Sequence, residues 1–133
     1  MEFLSFTLED KLFGVPVENV KEIVEEKEIT PVPLAGEYIE GVMNLRGEPV
    51  TVIDLRKKMG FKGASTSREI ILCIIDDVVI GFRPDSVLDI HEVPESDLKD
   101  VPSSLKGEME SKYLKGIVKL KEKYIIIDIK QLI

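Results

Sequence analysis

Apolar and polar positions alternate with a period of two along most of the chain, broken by short clusters of Gly, Pro, Asp and Lys. Phe3-Leu4-Ser5-Phe6-Thr7-Leu8 predicts a strand, Glu9-Asp10-Lys11 a turn, and Leu12-Phe13-Gly14-Val15 the returning strand. Pro16 lacks the ladder N–H and stops regular pairing. Val17, Val20 and Val24 then recur at three- and four-residue spacing, the stripe of a short helical turn. Much of that stretch is β-branched, which limits the helix to about one turn before a strand through Ile23-Val24-Glu25. Pro31 and Pro33 bracket an extended connection, because proline holds its predecessor out of the α region.

The stretch Gly41-Val42-Met43-Asn44-Leu45-Arg46-Gly47-Glu48-Pro49-Val50-Thr51-Val52-Ile53-Asp54-Leu55 reads as two strands joined at Gly47-Glu48. Arg46 stands out, placed by this reading at the end of an apolar strand. A guanidinium there must swing into water or meet a carboxylate, since a buried unpaired charge is too costly. The segment 44–47 is therefore the first candidate for a partner-binding surface.

After Leu55, Arg56-Lys57-Lys58-Met59-Gly60 predicts a short helix or turn with Gly60 as its stop, its basic run a solvated face. The loop 61–67 is the expected lobe boundary. Ile70-Ile71-Leu72-Cys73-Ile74-Ile75 is apolar almost without alternation and predicts a strand covered on both faces. Asp76-Asp77 is its turn and Val78-Val79-Ile80-Gly81-Phe82 its return; the pattern resumes at Ser86-Val87-Leu88-Asp89-Ile90. Residues 92–112 read as a long surface excursion, and 113–127 as a last hairpin before a short helix that Asp128 can cap. About ten short strands with no long helix predict an all-β fold, with two small five-stranded barrels side by side. The expected lobes are 10–66 and 67–133, with the N-terminal strand open to sharing between them.

Composition narrows the function classes. The 133 residues suffice for one compact unit with a real core. Net charge is −7, which disfavours nonspecific binding to nucleic acid or an anionic membrane. No apolar run reaches the roughly 20 residues of a membrane span, and the start of the chain lacks signal-peptide features. The single cysteine, Cys73, excludes an internal disulfide and fits a reducing compartment, so a cytoplasmic location is expected.

Catalytic candidates are few. His91 is the only histidine and has no second His or Cys at ligand spacing, so no metal or other cofactor is expected; it reads as a surface residue beside Glu92. Cys73 lies within an apolar strand and reads as an unreactive thiol. Asp54 and Asp128 precede short helices and read as caps, and Asp85 as a turn residue. With no catalytic set, no enzyme is expected and two other classes compete. One is a protein-binding adaptor. The other is a nucleic-acid-binding small barrel, whose basic, aromatic-bearing face this acidic, Trp-free chain does not offer.

Several segments together resemble the CheW family of chemotaxis coupling proteins. These are Val17-Glu18-Asn19-Val20-Lys21-Glu22-Ile23, Ile29-Thr30-Pro31-Val32-Pro33, Gly41-Val42-Met43-Asn44-Leu45-Arg46-Gly47 and Val52-Ile53-Asp54-Leu55. The second half adds Gly81-Phe82-Arg83-Pro84-Asp85-Ser86-Val87, Tyr113-Leu114-Lys115-Gly116 and Ile125-Ile126-Ile127-Asp128. The chain departs from the family pattern at Thr51, where proline is usual, and at Pro84, where valine is. The resemblance implies one CheW-like domain over 1–133, folded as two intertwined five-stranded SH3-like barrels. It implies a non-catalytic adaptor coupling the cytoplasmic tips of methyl-accepting chemotaxis receptors to the regulatory domain of the histidine kinase CheA. Such a protein works in the cytoplasm, at receptor arrays under the inner membrane. A scaffold module of a non-motility chemosensory array stays open as an alternative. By the same resemblance, receptor contact falls to Leu4, Val17, Val20, Glu22 and Arg46, and kinase contact to Gly41 and Val42.

Overall fold

The computed structural model describes residues 1–106 and 111–132. Its strands are β1 (Glu2–Leu8), β2 (Lys11–Pro16), β3 (Val20–Glu25), β4 (Ile29–Thr30), β5 (Ile39–Leu45), β6 (Glu48–Ile53), β7 (Glu69–Ile75), β8 (Val78–Phe82), β9 (Ser86–Glu92), β10 (Leu114–Lys119) and β11 (Lys123–Ile127). A 3-10 turn, Val17–Asn19, leads into β3, and a four-residue helix, α1 (Leu55–Lys58), follows β6. The expected helical turn and the strand after it are thus both present.

The fold is all-β in two sheets, with orders β10-β11-β2-β1-β9 and β3-β7-β8-β6-β5-β4. Two expectations need correcting. The second sheet has six strands rather than five, the extra one being the two-residue β4, and both ladders are open rather than closed barrels. The sheets also divide the chain elsewhere than at 66/67. Residues 20–82 supply the whole six-stranded sheet, and the two ends of the chain supply the other. The reason lies in the parallel pairs, β6 with β8 and β2 with β11. Parallel neighbours need a long crossover. Here α1, the 61–67 loop and β7 make that crossover within one sheet, so the loop is no linker.

The unbroken apolar run of β7 fits its position. Ile71, Cys73 and Ile75 face a central core shared with Leu4, Phe6, Phe13 and Phe82 of both sheets. Ile70 and Leu72 face a smaller core with Met43, Leu45, Val50 and Val52. A third cluster joins Phe3, Val93, Val118 and Ile126. Thr51 keeps its ladder place between Val42 and Ile80, while Pro49 lies opposite Asn44 near the end of its hairpin.

Candidate functional site

The β5–β6 turn falls one residue earlier than the sequence reading placed it. Leu45 pairs with Glu48, leaving Arg46 and Gly47 as the two-residue loop, with φ of 50° and 86°. Positive φ at both positions is the type I′ hairpin geometry, whose twist matches the flanking strands. Asn44 supports it by accepting the Gly47 N–H at 2.9 Å through its side-chain oxygen. Arg46 is therefore a turn residue, and the turn lifts its guanidinium out of the sheet. It meets Glu22 of β3 at 2.5 Å, with the Arg46 side chain 65% exposed and that of Glu22 31%. The hydrogen bond from Arg46 holds the Glu22 carboxyl below its usual range, and the same bond raises Arg46.

Two residues before Glu22 lies Val20. Val17 and Val20 are half-buried and pack on the edge of the central core, so each keeps a solvent-facing side. Leu4 differs: it is buried within that core at 5% exposure. Opposite Leu4 in the β1–β9 ladder stands Ile90, 60% exposed on the open edge of β9. Sequence reasoning passed over Ile90, because the alternation within β9 does not show that the strand lacks a neighbour on its far side.

Gly41 is buried, and its neighbours set its role in the fold. A Cβ there would lie 2.5 Å from the Thr30 carbonyl oxygen, so glycine is what lets β4 close on β5. Val42 is half-buried and lines a shallow depression with Thr30, Val32, Asn44 and Pro49. Both assigned kinase positions thus lie in one hairpin, but only Val42 presents a side chain.

A family model described as "CheW-like domain" matches residues 2–133. The chain belongs to the CheW-like domain family. It is 34% identical over 134 residues to the chemotaxis protein CheW of Thermotoga maritima, covering 99% of this chain and 87% of that one. With the CheW of Klebsiella aerogenes it shares 30% over 135 residues, covering 99% and 81%. The crystal structure of the scaffolding protein TtCheW from Thermoanaerobacter tengcongensis superposes with a TM-score of 0.86 at 30% identity, covering 96% of this chain and 83% of that one. The CheW-like frame accounts for the pair of SH3-like sheets.

Within this CheW-like frame, two ionic clusters escaped the sequence reading. Arg56, expected on a solvated face, is buried: its guanidinium meets Asp85 at 2.5 Å and also Glu9, and donates to the Lys62 carbonyl at 2.8 Å. Asp85 is more than a local turn residue, since it also accepts the Glu9 N–H at 2.7 Å. Arg56 thereby ties α1 to the β1–β2 turn and to the crossing between sheets. Arg83 binds Glu40 at 2.6 Å, Glu26, and the Ser67 carbonyl at 2.7 Å.

The remaining candidates pack or cap within the fold. Asp54 caps α1, accepting the Lys57 N–H at 3.0 Å. Burial pushes the Cys73 thiol up to about 12, leaving it protonated and unreactive near neutrality. His91 is not a plain surface residue: it is half-buried, stacked on Phe3 at 5.1 Å and close to Tyr124 at 4.9 Å. Among the described residues no group of three His, Cys, Asp or Glu is placed to hold a metal ion, and no helix is long and apolar enough to cross a membrane.

The lowered carboxyl of Glu22 has a testable sign. A carboxylate depressed by folding stabilises above its unfolded pKa and loses that contribution as pH falls through the folded value. In a carboxyl NMR titration, Glu22 is expected to titrate at lower pH than in the Arg46→Ala variant. Equal midpoints in the two proteins would mean that the pair does not persist in solution.

Proposed function

We propose that this chain is a non-catalytic cytoplasmic adaptor of a chemosensory array, bridging receptor tips to the regulatory domain of a CheA-type kinase. The observation that carries this reading is the match to the CheW-like domain over 2–133, together with its likeness to a scaffolding protein. The receptor would lie in the groove between the sheets, over a floor that includes Leu4 and against Val17 and Val20, with Ile90 as an added wall. Glu22 and Arg46 would stand at its rim. The kinase would take the surface around Val42, whose hairpin depends on the glycine at 41. The binding energy of such an adaptor comes from apolar anchors, and rim charges set orientation and partner choice.

The test is co-retention of a receptor-tip fragment and the kinase regulatory domain by this chain; retention of neither would reject the reading. Within that assay, Arg46→Ala is expected to weaken ternary assembly at least about tenfold while shifting the melting temperature by only a few degrees, because exposed pairs add little to stability. The swap Glu22→Arg with Arg46→Glu should keep the fold and lose binding. Binding restored by the swap would make the pair structural only.

A further inference from the structure

One apolar groove takes no part in the reading above. It opens at the margin of the central core, on the core-facing side of the six-stranded sheet, has a volume of about 320 Å³, and is walled by Tyr38, Ile39, Ile53, Val78 and Ile80. Ile39 and Val78 are 38% and 50% exposed, so the wall is wet in the isolated chain. The ammonium of Lys58 lines the same groove. It donates to the Leu132 carbonyl at 2.7 Å and faces the rings of Tyr113 and Tyr38 at 5.1 and 5.7 Å. Among the described residues no carboxylate pairs with it. The groove thus offers apolar walls and one half-buried cation.

The loop next to it has the opposite character. Residues 33–34 form a turn closed by the Ala35 N–H on the Val32 carbonyl at 3.2 Å. Leu34 sits in that turn with φ of 63°, where a leucine is strained, and its side chain is fully exposed. Exposure and strain coincide on a residue that gains nothing from its own chain. Three residues on, Glu37 is also exposed. An apolar knob followed by a carboxylate is what an apolar groove ending in a cation would accept.

Knob and groove adjoin, since Gly36 and Tyr38 of the loop line the groove. Leu34 is fully exposed and does not fill the groove of its own chain, but two copies related by a two-fold axis can exchange knobs. We propose that the occupant is a second copy of this chain. In the resulting symmetric dimer, Leu34 of each copy fills the groove of the other, and Glu37 pairs with Lys58 across the axis. The proposed interface uses none of the residues assigned above to the receptor or the kinase, and it forms from the chain alone.

Sedimentation velocity on the full chain, from about 10 µM to 1 mM, tests it without any array partner. Wild type is expected to show a concentration-dependent dimer. Leu34→Gly removes the knob and relieves the backbone, so the chain should stay folded while dimerisation weakens at least about tenfold. Glu37→Lys should weaken it too, and Glu37→Lys with Lys58→Glu should recover part of the loss. A monomer throughout the range, or a dimer indifferent to Leu34→Gly, would overturn the proposal. Because both single variants change exposed residues, a failure of Lys58→Glu to fold leaves the test decisive.

Discussion

Arg56→Met should lose about 2–4 kcal/mol of stability, the largest effect expected of any single charge removal in this chain. Removing one partner of a fully buried ion pair costs ~3–5 kcal/mol, because the other charge is left desolvated and alone. The expectation here is lower because the Glu9 side chain is 42% exposed and can turn to water, whereas Asp85 at 24% has less freedom. Methionine keeps most of the side-chain volume, which separates lost charge from lost packing. Urea denaturation would measure it, with Arg56→Met plus Asp85→Asn as the companion. If the account is right, the double variant recovers part of the loss, because no carboxylate is then stranded. A cost below about 0.5 kcal/mol for Arg56→Met would show that the network contributes nothing net.

Val20→Asp is expected to cut receptor-fragment binding by at least a hundredfold while the chain stays folded. A fully buried valine would not survive that change, since an unpaired buried carboxylate costs several kcal/mol. Val20, however, is half-buried at the margin of the core, and an aspartate there can reach solvent. The loss of stability should be about 1–3 kcal/mol, well short of unfolding a typical domain. Leu4→Asp is the contrast: at 5% exposure its carboxylate has no route to water, and the chain should unfold. Circular dichroism beside the binding assay distinguishes these outcomes. A folded Val20→Asp that binds normally would remove Val20 from the receptor surface.

The strands were legible in the sequence wherever period-two alternation met a Gly, Pro or Asp break. β7 was readable even in its double-sided burial, because an uninterrupted apolar run has few other uses. The partition into sheets was not. It rests on β2 pairing with β11 from opposite ends of the chain, and no local pattern encodes so distant a neighbour. The Arg46 turn was misplaced by one residue because a type I′ loop is normally announced by Asn or Gly at its first position. Arg56 was missed for a related reason. Arg56, Lys57 and Lys58 are chemically alike in sequence, and only the docking of α1 decides which one turns inward. The family resemblance grouped Glu22 and Arg46 on one surface, and neither source pointed to the apolar edge at Ile90.

The nesting of one sheet inside the other affects how the chain is made. The six-stranded sheet is encoded by one continuous stretch, so it can assemble on the ribosome soon after β8 emerges. The β1–β2 hairpin is synthesised first yet has no strand neighbours beyond itself until β9 and β11 arrive, and a lone hairpin is barely stable in water. Until β7 and β8 form, the nascent chain therefore carries Phe6 and Phe13 uncovered, and Phe3 waits longer still for Val93, Val118 and Ile126. That interval, more than any weakness of the finished fold, is when this chain is most open to chaperone capture or aggregation.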